Sequence, residues 1–171
     1  MRILLRKRNV LLMRKNKMIL LVMMILPWLS LPFIRRQTIK RFYPGALFII
    51  VWVAVESIFA KKRVWWRIYE KLIPNVIGEM PFMVGPFFVG SLWILKLTFG
   101  NFMRYLYLNL FLDTLFAYPG MFIFKRLGIA SLIRLRPYQM VILFMSKSVI
   151  MYGFQSLVNQ LRKKPKSLFH K

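Results

Sequence analysis

Four charged residues lie inside long apolar stretches of the sequence, where a charge is costly and usually has a structural or functional reason. They are Glu56, Lys96, Asp113 and Lys147. Glu56 and Lys96 lie about one helical turn from the ends of their stretches, so both can reach water. Glu56 can also reach Lys61 and Arg63. We therefore interpret Glu56 and Lys96 as shallow charges with a structural role.

Asp113 and Lys147 lie deeper, on two successive stretches that one short loop joins. Successive helices of this kind are normally antiparallel neighbours, and the depths of the two residues differ by roughly 3 Å of helix rise. The sequence therefore predicts an opposite-charge pair near mid-bilayer, with Asn109, Ser146 and Ser148 available for hydrogen bonds. Such a pair fixes helix register, or it serves as a proton or ion relay or a substrate countercharge.

The remaining inventory of reactive side chains is small. The chain has no cysteine, four acidic residues and one histidine, His170, in a basic tail. A catalytic triad or a histidine-based metal site has almost no material here, and no phosphate loop, zinc-protease signature or serine elbow occurs. The sequence predicts no catalytic, cofactor or metal site, and we expect a protein that is not an enzyme.

Five apolar blocks must position these charges. They comprise residues 18–34, 44–60, 81–100, 102–124 and 138–158, between a basic N-terminus (1–17) and a basic tail (159–171). Backbone polar groups in lipid must be satisfied internally, so the blocks predict an all-α polytopic transmembrane bundle. The first block has seventeen residues, the lower limit for crossing, and contains Pro27 and Pro32. It crosses, which gives five helices, or re-enters, which leaves four. No small-residue cleavage site follows it, so we expect it to be retained.

The distribution of basic residues indicates partners and orientation. The 28 Lys and Arg residues outnumber the acids and give a net charge of +24, but they cluster between the apolar blocks. This is the pattern of membrane loops, so nucleic acid is not an expected partner. Counting basic residues per side favours a cytoplasmic N-terminus with five spans (sixteen against ten) and with four (seventeen against nine). The side of the C-terminus stays open.

A basic and aromatic stretch follows the second block. Tryptophan favours the headgroup level, and basic side chains favour anionic lipid. We expect residues 61–80 to form a short amphipathic surface helix. The candidate headgroup ligands are Lys61, Lys62, Arg63, Trp65, Trp66 and Arg67.

Proline and glycine interrupt the third and fourth blocks. Pro86 and Pro119-Gly120 either kink their helices or expose backbone groups around a cavity. Gly85 and Gly90 can permit close helix packing.

Several features together resemble a family of small multi-pass membrane proteins from spore-forming Gram-positive bacteria. They are the basic N-terminus, Leu31-Pro32 followed by Arg35-Arg36, the cluster Lys61-Lys62-Arg63, Glu79 with Pro86, and Leu135-Arg136-Pro137. The resemblance implies a bacterial plasma membrane and five helices. That family has no assigned activity, so the resemblance implies no site residues.

Two functions are compatible with these observations. The first is a non-enzymatic scaffold or accessory subunit that contacts anionic lipid, another membrane protein or a second copy of the chain. The alternative is a small oligomeric carrier or channel that uses Asp113 and Lys147.

Overall fold

Five long helices form the protein. A computed structural model describes residues 2–73 and 75–163, with side chains for 14–73 and 75–162. The helices are α1 (Arg2–Ile25, continued by a 3-10 segment, Leu26–Phe33), α2 (Arg36–Arg63), α3 (Met80–Thr98), α4 (Phe102–Leu127) and α5 (Pro137–Lys163). Each is long and apolar enough to cross a membrane. The predicted all-α bundle of five membrane helices is confirmed.

The outer faces of the helices carry large apolar side chains. On α4 they recur every three or four residues, so that they line one side of the helix. This stripe consists of Met103, Tyr107, Phe111, Leu115, Tyr118 and Phe122. A soluble bundle would bury such a stripe, whereas a membrane bundle exposes it to lipid.

One end of the bundle carries a short antiparallel sheet, and we call it the sheet end. Strand β1 (Trp66–Ile68) follows α2, and strand β2 (Ala130–Leu132) follows α4. Trp66 pairs with Leu132, and Ile68 pairs with Ala130. The prediction of a surface helix over 61–80 is therefore wrong. Val64 takes a left-handed conformation (φ 53°) that ends α2, and the backbone hydrogen bonds of the following residues go to the other loop.

The first membrane segment, Arg14–Phe33, runs the length of the bundle. Near its start, Asn16 donates a hydrogen bond to the carbonyl of Leu127 at the sheet end (2.9 Å). At its finish, the Phe33 carbonyl accepts from Lys96 near the opposite end of α3 (3.1 Å). This is the path of a crossing, and re-entry is not observed. Helix α5 ends beside Lys40, near the start of α2 and away from the sheet. The start of the first membrane segment and the end of α5 therefore lie at opposite ends of the bundle.

Prolines change the winding of single turns in three helices without ending them. The 3-10 turns are tighter than α-helix, and the π turns are wider. Pro27 and Pro32 lie in the 3-10 segment, while Pro86 and Pro119 lie in single π turns, Met83–Phe87 and Phe116–Gly120. Proline removes a backbone donor and forces this kind of local adjustment. The helices continue on both sides, so Pro86 and Pro119 do not end α3 and α4.

Gly85 allows the first segment to lie directly against α3. A Cβ at this position would lie 2.6 Å from the Met23 carbonyl oxygen and 2.8 Å from the Met24 Cα. Both are backbone atoms and cannot rotate away. At Gly90, on the same helix, a Cβ would meet nothing within 4 Å. Close packing thus depends on Gly85 and not on Gly90.

We predict that Gly85→Ala separates α1 from α3 and destabilises the fold by about 1–3 kcal/mol, the usual cost of overpacking. Gly90→Ala is the matched control and should unfold at the wild-type temperature or above it, because alanine favours helix. Thermal unfolding in detergent measures both. Equal midpoints for the two variants would show that α1 does not pack here.

The interior has three layers. An apolar cluster near the sheet end includes Phe82, Met121 and Phe144, and a second cluster near the opposite end includes Leu95 and Tyr105. Phe87 packs against both clusters. Buried polar side chains lie between them. This middle layer consists of Glu56, Ser91, Asn109, Lys147 and Ser148.

Candidate functional site: a buried ion pair beside an inner cavity

A buried ion pair joins α2 to α5. The Lys147 Nζ lies 2.7 Å from the Glu56 Oε2, and the two side chains are 6% and 7% exposed. Among the residues whose side chains are described it is the one ion pair within 4.0 Å. The predicted pairing of Lys147 with Asp113 is wrong, and so is the shallow placement of Glu56.

Helix direction explains this choice of partner. Cα–Cβ bonds tilt toward the N-terminus of a helix. Helix α5 starts at the sheet end, so Lys147 leans toward that end, whereas α2 and α4 start at the opposite end. By helix rise, Glu56 lies about 10 Å, Lys147 about 15 Å and Asp113 about 21 Å from the sheet ends of their helices. Lys147 and Glu56 therefore lean toward each other, and Asp113 leans away.

Aromatic rings surround the lysine. Its Nζ lies 4.0 Å from the Phe144 ring centroid and 5.7 Å from that of Phe87. Rings attract a cation through the negative face of their quadrupole, by about 2 kcal/mol where both are desolvated. The Glu56 carboxylate and the two rings together compensate for the burial of the ammonium group.

A hydrogen-bonded network joins α4 to α5 next to the pair. The Tyr105 hydroxyl donates to the Ser148 carbonyl (2.7 Å), and the Ser148 hydroxyl donates to the Asn109 Oδ1 (3.1 Å). Asn109 in turn donates to the Tyr105 carbonyl. Asn109 and Ser148 therefore bond to each other and to Tyr105, and not to an Asp113–Lys147 pair as expected. Ser146 is exposed and bonds only within its own helix.

Asp113 lies on the wall of a cavity within the bundle, which we call the inner cavity. Its volume is about 380 Å³, and all five helical segments line it, from Pro27 and Ser30 on the first to Met151 on α5. Lys147 lines the same cavity. The buried Asp113 Oδ2 has no hydrogen-bond partner among the described residues.

A smaller cavity of about 50 Å³ lies on the sheet side of Lys147. It reaches from Glu56 to Glu79, whose carboxylate accepts a hydrogen bond from the Trp66 indole (2.6 Å). The two cavities share part of their walls. The shared residues are Val53, Phe87, Phe116, Phe144 and Lys147. The ion pair and its rings thus separate two internal spaces.

Lys96 is half-buried near the end opposite the sheet, the position expected for a shallow charge. Its Nζ donates to the Phe33 carbonyl and lies 4.2 Å from the Trp93 ring centroid. It takes no part in the buried site.

The candidate headgroup residues surround a third space at the sheet end, the basic cavity, of about 1000 Å³. Four basic side chains line it, together with Trp66 and Glu79: Lys61, Lys62, Arg67 and Lys71. Arg63 and Trp65 do not line it. The Trp65 carbonyl instead accepts hydrogen bonds from the loop after β2, so part of the predicted set holds the two loops together. Lys71 was not among the predicted residues.

The described side chains contain no group of three or more histidine, cysteine or acidic residues that could hold a metal ion. His170 and the tail beyond residue 163 lie outside the described residues. Comparison of the chain with protein-family models, with curated proteins and with solved structures found no match.

Proposed function

We propose that this multi-pass protein is a non-enzymatic scaffold or accessory subunit of a bacterial cell membrane that holds anionic lipid at its sheet end. The basic cavity carries the proposal. Lys61, Lys62, Arg67 and Lys71 face one acid, Glu79, which the Trp66 indole already engages. Such a space suits a phosphate headgroup, and a tryptophan such as Trp66 suits the adjoining ester region of a lipid.

The number of basic residues at the sheet end also indicates how the protein is oriented in the membrane. The segments that the sequence assigns to the sheet end hold sixteen Lys and Arg, against ten at the other end. Because cytoplasmic loops carry the excess of basic residues, we place the sheet end and the N-terminus in the cytoplasm. The C-terminal end of α5 then lies outside. The bound lipid is an inner-leaflet lipid.

The lipid proposal predicts a specific loss on charge removal. Replacing Lys61, Lys62, Arg67 and Lys71 by glutamine should lower retention of phosphatidylglycerol at least tenfold, because each basic residue near an anionic surface contributes about 1 kcal/mol. Native mass spectrometry of the detergent-solubilised protein counts the retained lipids. The matched control removes four charges at the other end, at Arg35, Arg36, Lys40 and Arg104. Equal loss of phosphatidylglycerol from the two variants would contradict the proposal. So would retention of phosphatidylcholine by the wild type that equals its retention of phosphatidylglycerol.

A second candidate function is that of a small carrier, alone or as an oligomer. The inner cavity favours it, since Asp113 and Lys147 both line a space inside the bundle and intramembrane charges commonly mark transport routes. Transport of a small solute into proteoliposomes that disappears with Asp113→Asn supports this candidate. Flux unchanged by that substitution rules out its use of Asp113.

A further inference from the structure

The wall of the inner cavity carries one carboxyl group, that of Asp113, for which the described residues provide no partner. Glu56 neutralises Lys147 at 2.7 Å. Asp113 remains, without an ion-pair partner within 4.0 Å among the described side chains, and its buried Oδ2 accepts no hydrogen bond from them. An uncompensated carboxylate in an apolar interior is costly. A cation that enters the cavity would provide the missing charge.

The wall of the cavity is mainly apolar and aromatic. Phe116 lies 6.3 Å from Phe87 and 5.8 Å from Phe144, measured between ring centroids, so the three rings form one continuous surface. The same surface already holds an ammonium group, that of Lys147. Rings of this kind bind both apolar groups and cations.

The polar groups of the wall are few. Asn109 and Ser148 are occupied by each other, and the Ser30 hydroxyl accepts from the Trp93 indole and donates to the Pro27 carbonyl. Apart from Asp113 and Lys147, only the Ser91 hydroxyl remains among the polar side chains of the wall, which is little for a sugar or a nucleotide. A volume of about 380 Å³ lies near the lower limit for small-molecule sites, which span roughly 300–1,000 Å³.

We propose that the inner cavity binds a small organic cation, an apolar amine whose ammonium group pairs with Asp113 and whose apolar body lies on Phe87, Phe116 and Phe144. This goes beyond the lipid proposal and does not depend on it. The two sites lie at different levels of the bundle and share none of their lining residues.

The test uses phenethylamine, which is an ammonium ion at neutral pH, and 2-phenylethanol, its neutral counterpart of similar size. Isothermal titration into the full chain in phosphatidylcholine nanodiscs, corrected with empty nanodiscs, should show saturable binding of the amine. The alcohol should bind at least about tenfold more weakly, because the charge-assisted hydrogen bond to the carboxylate is lost. Equal affinity for the two compounds, or no saturable binding of either, overturns the proposal.

Two variants locate the site. Asp113→Asn should lower the affinity for the amine at least about tenfold, whereas Glu70→Gln, which removes an acid from the loop after β1, should leave it unchanged. Gly90→Leu keeps Asp113 and fills the cavity, since a side chain at Gly90 meets open space. It should fold normally and abolish binding. Undiminished binding by the folded Gly90→Leu protein places the amine elsewhere and overturns the proposal even if Asp113→Asn fails to fold.

Discussion

Glu56→Gln is expected to lower the free energy of unfolding by about 3–5 kcal/mol, because it leaves the Lys147 ammonium buried without a countercharge. Lys147→Met should cost a similar amount, since it leaves the Glu56 carboxylate unpaired. The double variant should recover most of this loss, because it leaves no unpaired charge to desolvate. Unfolding in mixed micelles measures all three, and Lys125→Met provides an exposed lysine control.

A second cycle with Asp113→Asn identifies the partner of the lysine. Interaction energies are large for residues in direct contact and small for independent ones. The Glu56–Lys147 coupling should therefore exceed the Asp113–Lys147 coupling. The reverse order would restore the pairing that the sequence predicts and would contradict the geometry of the buried site.

Gln155→Leu is expected to destabilise the joint between α2 and α5 by about 2–5 kcal/mol, because at least two buried polar groups lose their partners. Pro44 lies inside α2 and disturbs its hydrogen bonding. The fully buried Gln155 side chain accepts from the Gly45 N–H and donates to the Arg41 carbonyl, both at 2.9 Å. Arg162 donates to the Lys40 carbonyl. In a regular helix the backbone N–H of residue 44 would bond to this carbonyl, but proline has no N–H.

The matched control is Gln160→Leu, an exposed glutamine on the same helix. It should change the unfolding midpoint little, since surface substitutions usually fall within about 0.5 kcal/mol of the wild type. Thermal unfolding followed by circular dichroism compares the two. Similar midpoints for both leucine variants would show that Gln155 does not stabilise α2 at Pro44.

The helices were predictable because their signal is local. Each apolar block carries its own length and composition. Four of the five observed helices continue past their predicted blocks into the basic flanks, whereas α3 ends at Thr98, before its block does. That extension matters for Glu56. Because α2 continues to Arg63, Glu56 lies almost two turns from the end of the helix and not one, so its burial was underestimated.

The sheet and the ion pair were not predictable in the same way. A strand of three residues shows no clear alternation, and its partner lies more than sixty residues away. The partner of Lys147 likewise depends on the direction in which two helices carry their side chains, which only the packed bundle defines. One usable signal was missed: a proline inside a membrane helix, such as Pro44, frees a backbone carbonyl that a polar side chain of a neighbouring helix can bond. Arg162 and Gln155 on α5 are such residues.

Labelling of single cysteines tests the central claim of five crossings most directly, because the chain has no cysteine of its own. Lys15→Cys and Arg134→Cys lie at the sheet end, Arg36→Cys and Gln160→Cys at the other, and all four positions are exposed. A membrane-impermeant maleimide added to intact cells should label positions 36 and 160 and should reach positions 15 and 134 only after the membrane is permeabilised. Labelling of positions 15 and 36, of 36 and 134, or of 134 and 160 from the same side would contradict the five crossings, and exchange of the two pairs would retain the fold but invert its orientation.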